Sequence, residues 1–297
     1  MKTICFDIEA TDGDEILELS IYDVDGCKEI YHSYFKPVRS REWPNSQAVH
    51  HITPQMVADA PTFSRERDVV RRVLDEADAI VGFAIDNDLK YMRANGVEVP
   101  ANVAVVDARI WYGLVYGKEQ GIEFNAVPRL AVCANALGIP FSEQAEAHSA
   151  SNDTRVTVEL FRRMLAYCGA GALSAELIAS MNCRYERERE GFMRIHARGY
   201  ISLVRRGAGY MLKNNHAFPE RYDHVIEVES RFAAESDLRN RFEQRRMPGD
   251  PAVYRLSDRD LRYFKAYSNA YDADREARCK DFLSRKKGRE VNLAFRF

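Results

Sequence analysis

The first 110 residues alternate between two hydrophobic periods. Residues 2–9 (KTICFDIE) form a short apolar run that ends in acids, and residues 15–24 and 29–37 are further β-rich runs, the link between them beginning at Asp25-Gly26. Short apolar runs bounded by turn residues predict strands, here a hairpin or meander. The period then changes: Val69, Val70, Val73, Leu74 and Ala77 lie on one face of a helix spanning residues 65–77. Residues 79–85 read as a buried strand, followed by a helix over 87–95 that Gly96 stops. Residues 102–106 are another apolar strand with Asp107 at its end, and helices are expected over 108–116, 127–137 and 152–167. Strands first, then alternating helix and strand, predict an α/β fold with a mixed sheet and helices on its faces.

Gly169-Ala170-Gly171-Ala172 breaks this pattern and divides the chain into residues 1–170 and 171–297. Beyond it a helix runs to about residue 181, and CRYERERE (183–190) has the alternating charges of a solvated helix face. Residues 191–212 mix glycine, aromatics and arginines, residues 220–246 read as a charged helix, and Met247-Pro248-Gly249-Asp250-Pro251 is a turn. Ser257 is placed to cap a last helix. Residues 291–297 read as a terminal strand, and the region as a whole is expected to be mainly helical.

Charge divides at nearly the same place. The net charge of -2 hides 17 basic and 27 acidic side chains in residues 1–180, against 26 basic and 18 acidic in residues 181–297. Acidic clusters hold metal ions and basic ones hold phosphates, so the two parts are expected to have different tasks. The composition is that of a globular protein, and no apolar run approaches the roughly 18–20 residues of a membrane span. Acids occur from position 7, unlike a secretory leader, so a cytoplasmic protein is expected. Cysteines 5, 27, 133, 168, 183 and 279 are scattered without a C-x-x-C pair, which favours free thiols over disulfides or a zinc site.

The chemistry lies where acids meet apolar strands. Asp7 and Glu9 flank Ile8 at the end of the first strand, and alternation puts i and i+2 on one face. Adjacent like charges in a sheet are unfavourable unless something neutralises them, and a divalent cation does so. In VGFAIDNDLKYM (81–92), a buried strand runs into a helix whose first turn carries Asp86 and Asp88. In AHSASNDTRVTVELF (147–161), His148 lies five residues before Asp153, ahead of an amphipathic helix. Singly, each acid reads as a solvated strand end or a helix-dipole partner.

Together, D-x-E on a first strand, a helix-borne Asp and H-x-x-x-x-D resemble the signature of the DEDDh (DnaQ-like) 3′–5′ exonucleases, which include the proofreading subunit of replicative polymerase, RNase T and exonuclease X. The resemblance spans residues 1–167 and extends to HHITPQMVADAPTF (50–63) and LAVCANALGI (130–139). It implies an RNase H-like fold with a five-stranded mixed sheet, Asp7, Glu9, Asp88 and Asp153 as ligands of two Mg²⁺ or Mn²⁺ ions, and His148 as general base. It also implies contacts to the terminal nucleotide from Ala10, Thr11 and His51, with His50 as the alternative register. Phe83 and Ala84 stand where many relatives carry His-Asn, and the first motif reads E-A-T-D where relatives often have E-T-T-G.

The implied activity is release of nucleoside 5′-monophosphates from DNA 3′ ends, with RNA 3′ ends as the enzymatic alternative. A binding or scaffolding module on an inactive exonuclease fold is the non-enzymatic one. The basic part holds Arg205-Arg206, Arg245-Arg246 and Arg285-Lys286-Lys287 among Tyr200, Tyr210, Tyr254, Tyr263, Phe264, Tyr267 and Tyr271. Such a mix suits single-stranded nucleic acid, or equally a helix packed inward. Segment 173–212 resembles the small C-terminal region of exonuclease X. Residues 181–297 are also candidates for docking a repair or replication protein.

Overall fold

The computed structural model describes residues 1–122, 126–141 and 148–286, and the strand expected over 291–297 lies outside them. Contacts divide the chain into two units, Met1–Arg184 and Tyr185–Phe297.

In the first unit, β1 (Thr3–Ala10), β2 (Ile16–Asp23) and β3 (Lys28–Tyr34) form an antiparallel meander. Two short helices' worth of connection follow, α1 (Pro44–His50) and then the longer α2 (Phe63–Asp75). Strand β4 (Ala79–Gly82) pairs parallel with β1 and leads into α3 (Asp86–Ala94). Strand β5 (Ala104–Asp107) pairs parallel with β4 and leads into α4 (Ala108–Gln120). Helices α5 (Leu130–Ala136) and α6 (Ala150–Tyr167) follow, and the division between units falls within α7 (Ala175–Ala197). The sheet order is β3-β2-β1-β4-β5, the five-stranded mixed sheet of the RNase H-like fold.

The alternation of β1 assigns its two faces. Ile4, Phe6, Ile8 and Ala10 join a core with Phe63, Val70 and Leu74 of α2 and Met92 of α3. The intervening residues Cys5, Asp7 and Glu9 therefore face the side on which α6 packs, and the Cys5 thiol lies 4.0 Å from the Thr154 carbonyl. Helix α6 buries Val156, Leu160, Phe161 and Met164, the face that its periodicity predicts. Among the described residues, no helix is long and apolar enough to cross a membrane.

The second unit has helices, as expected, and also a five-stranded antiparallel sheet. It is built from β6 (Gly199–Arg206), β7 (Gly209–Asn215), β8 (His224–Val228), α8 (Arg231–Arg241), β9 (Arg246–Met247), β10 (Asp250–Tyr254), α9 (Asp258–Ala266) and α10 (Ala273–Lys286), in sheet order β8-β6-β7-β10-β9. The helix expected over 220–246 is thus corrected: its first part is strand β8, whose Val228 joins the core of Ile201, Leu203, Leu212 and Leu238. Ser257 caps α9 as expected, in a reciprocal capping box with Asp260.

Phe161 is fully buried and stacks at a tilt on Trp111 of α4, so it couples α6 to its neighbour. Phe161→Ala is expected to destabilise the first unit by about 3–5 kcal/mol, read as a lowered denaturant midpoint followed by tryptophan fluorescence.

Candidate active site

Three elements meet at the end of β1. Asp7 and Glu9 come from the strand. Asp88 comes from the first turn of α3, where it is buried and accepts a hydrogen bond from the Ile8 backbone N–H at 3.0 Å. Asp153 comes from the first turn of α6, its backbone N–H bonded to the Ser149 carbonyl at 2.9 Å. His148 immediately precedes this helix with φ 64°, a left-handed conformation that a non-glycine residue adopts at a cost.

One atom each from Glu9, His148 and Asp153 lie within 4.8 Å of one another, the one such group of potential metal ligands among the described residues. Asp7 lines a cavity of about 340 Å³ with His148, Asp153, Phe83, Ala84, Arg109, Arg129, Leu130, Ala131 and Phe141. One Asp153 carboxylate oxygen, Oδ1, is buried without a hydrogen-bond partner. Asp86, in contrast, is exposed, as a dipole acid would be.

The acids raise one another's pKa. Burial pushes Asp7 well above the usual carboxylate range, and the charges of Asp88, Glu9, Asp153 and Glu18 push it further. Glu9 moves the same way, by burial and then by Asp153, Glu18 and Asp88. Asp88 is raised chiefly by burial, against the hydrogen bond from Ile8. Burial also raises Asp153, to about 7, against a hydrogen bond from the His148 backbone. Each carboxylate therefore disfavours ionisation of the others, and a positive charge among them would relieve this.

Other residues singled out in the sequence sit around this cluster. Ala10 is buried at the end of β1. The Thr11 hydroxyl is engaged in its own turn, accepting from the backbone N–H groups of Gly13 and Glu15. His51 ends α1 in a left-handed conformation (φ 62°) and lines a separate cavity with Trp43, Gln47 and Pro54. His50 is the residue that meets the β1 end. Its Nδ1 accepts from the Ile52 N–H at 3.0 Å, which leaves Nε2 to donate to the Ala10 carbonyl at 3.2 Å.

Ala84, where relatives carry Asn, has φ 58°, a conformation that asparagine tolerates better. Its N–H donates to Asp107, which also accepts from the N–H groups of Arg109 and Ile110 and so caps α4. Three residues had no signal in the local sequence. Arg109 and Arg129 bring cations to the cavity wall, and Glu18 lies directly opposite Glu9 in the β1–β2 register.

The mixed sheet thus carries acids at the end of its central strand, with a His-Asp pair at the start of a helix packed upon it. Residues 3–161 match the family model RNase_T, an exonuclease family, and the chain belongs to that family. Among solved structures it is similar to exonuclease X in complex with 5′ overhanging duplex DNA (20% identity, TM-score 0.43), covering 60% of this chain and 98% of that one. It is also similar to cell-death related nuclease 4 (18%, TM-score 0.46), covering 57% and 65%. Its similarity to E. coli exonuclease I with a dA16 oligonucleotide (15%, TM-score 0.47) covers 97% and 70%. No curated protein matches the sequence.

An acid with a raised native pKa keeps its proton in the folded state after the unfolded chain has lost it. Stability therefore falls as pH rises from the unfolded value near 4 through the native value, about 7 for Asp153. The metal-free protein is expected to melt lower at pH 8 than at pH 5.5, and millimolar Mn²⁺ should raise the pH 8 melt far more than the pH 5.5 one. Metal-free Asp7→Asn at pH 8 should melt about 2–4 °C above the parent, equivalent to about 1 kcal/mol of relieved repulsion. Scanning calorimetry with and without chelator checks all three.

Proposed function

We propose that the chain is a metal-dependent 3′–5′ exonuclease that releases nucleoside 5′-monophosphates from DNA 3′ ends. The observation that carries this reading is the convergence of Glu9, His148 and Asp153 within 4.8 Å, with Asp7, His148 and Asp153 lining one cavity. The donor set fits hard divalent cations: it is dominated by carboxylate oxygens, and a buried Asp153 oxygen has its lone pairs uncommitted. Asp7, Glu9, Asp88 and Asp153 would hold two Mg²⁺ or Mn²⁺ ions. Bound there, such ions supply positive charge to the attacking and leaving oxygens of an in-line displacement at phosphorus.

The chain's own groups do the rest. His148 takes a proton from the attacking water, whose oxygen forms the new bond to phosphorus. The P–O3′ bond breaks, and the departing O3′ takes up a proton from solvent water to become the 3′-hydroxyl of the shortened strand. Arg109 and Arg129 on the cavity wall suit the phosphates of adjacent nucleotides, and Phe83 suits a base. His50 holds the backbone at Ala10, where the chain approaches the terminal nucleotide in this reading.

Purified protein with Mg²⁺ or Mn²⁺ is expected to shorten a 5′-labelled single-stranded oligodeoxynucleotide stepwise from its 3′ end. His148→Gln should lower the rate about 10²–10⁴-fold. Equal rates for parent and variant, or loss of nucleotides from the 5′ end, would sink the proposal. An RNA ladder degraded faster than the DNA ladder would reverse the choice of sugar.

A further inference from the structure

Glu18 sits in the middle of β2 at 1% exposure, and its register partner on β1 is Glu9. A buried carboxylate facing another acid across a sheet is unfavourable on both counts, so its partners must account for its presence. They come from both sides. From the sheet, His32 Nε2 on β3 is 2.8 Å from Oε1. From α6, the Ala150 backbone N–H donates to Oε2 at 3.2 Å and the Ser149 hydroxyl to Oε1 at 3.4 Å.

Those two donors are the N-cap and first residue of the helix that carries Asp153, and Ser149 directly follows His148. Ser149 makes no side-chain cap of its own, because its hydroxyl is turned to Glu18. The sheet thereby caps the helix. A second strap lies one residue on: Glu29 of β3 accepts from the Ser151 hydroxyl and from the Ser20 hydroxyl, both at 2.8 Å. A third runs from the Thr154 hydroxyl to the Ser20 carbonyl at 3.5 Å.

We propose that Glu18 is a positioning residue, whose carboxylate clamps the first turn of α6 to β2 and so sets His148 and Asp153 against Glu9. This rests on the exonuclease reading of the same cluster. All of the contacts named for Glu18 are with hydrogen-bond donors or His32, so it serves the cluster from behind rather than as a further ligand. Removing it loosens the segment that bears one ligand and the base, which the Ser151 and Thr154 straps still tether one turn on, and leaves the contacts of Arg109, Arg129 and Phe83 untouched. The expected signature is a loss in turnover and in metal affinity without a loss in substrate affinity.

The test uses the full chain, Mn²⁺ and thymidine 5′-monophosphate p-nitrophenyl ester. Glu18→Ala, folded by circular dichroism, should lower kcat about 10–100-fold, as a misplacement near 1 Å does, with KM within about 3-fold of the parent. Mn²⁺ affinity, read from the free-ion paramagnetic resonance signal, should weaken about 10-fold. Glu18→Gln keeps an oxygen for the Ala150 N–H and should recover most of both. Parent-like kcat in the folded Ala variant, or a loss confined to KM, overturns the clamp. So does a Gln variant as impaired as the Ala variant, since that assigns Glu18 a role needing its charge. Should the parent itself hydrolyse nothing, the exonuclease reading fails, and Mn²⁺ affinity decides alone: unchanged binding in Glu18→Ala overturns the clamp.

Discussion

Mutual repulsion among buried and half-buried carboxylates at the end of β1 is the constraint around which the first unit is arranged. Asp7, Glu9 and Glu18 share one face of two paired strands, and Asp88 and Asp153 approach from helix starts. Fixed backbone dipoles hold several acids of this region in place. Ile8 donates to Asp88, Ala150 to Glu18, and Ala84, Arg109 and Ile110 to Asp107. Neutral N–H groups orient a carboxylate without cancelling its charge. The cluster thus keeps an unmet demand for positive charge, which a mobile cation can satisfy and release.

What could be read from the sequence follows from how far each device reaches along the chain. The D-x-E pair, the Asp in the first turn of α3 and the His148–Asp153 spacing are local, and strand alternation or helix phase alone puts each on its face. The Ser257 capping box was legible for the same reason, both partners lying within one turn. Glu18 was not legible, because its informative partners Ser149 and Ala150 lie 131 and 132 residues away, and in isolation it is one acid in an apolar strand. The different placement of His50 and His51 was not legible either, because it depends on a left-handed residue. His51 takes φ 62° to end α1, which leaves His50 turned inward.

The second unit was harder to read. Strand β8 has five residues, its apolar positions set between charges, and it borrows its environment from β6, with which it pairs out to Gly199–Val228. A short strand with charged flanks has no period long enough to outvote a helical reading of its neighbours. Tyr254 and Phe264, part of the aromatic and basic mix that suits nucleic acid, are fully buried in the core with Leu238 and Phe242. Tyr267 is tied by its hydroxyl to Asp237 at 2.7 Å. Tyr254 and Phe264 build the unit's core and are not available for stacking bases.

The charge of this unit needs the same correction. Its excess of basic residues counts side chains, whereas attraction for a polyanion depends on what remains after local pairing. Arg198 pairs with Glu227, Arg206 with Asp250, Arg239 with Glu235, Arg245 with Asp260 and Arg275 with Asp237. The exposed pairs among these, such as Arg198–Glu227 and Arg206–Asp250, add little stability and are screened by salt. They do, however, cancel each other's field within a few ångströms, so an arginine-rich stretch need not be a cationic surface. In the first unit the opposite holds. It is acidic overall, yet Arg109 and Arg129 reach the cavity wall beside the carboxylates. Placement at the site, more than the sum over either unit, decides where a phosphodiester chain can be held.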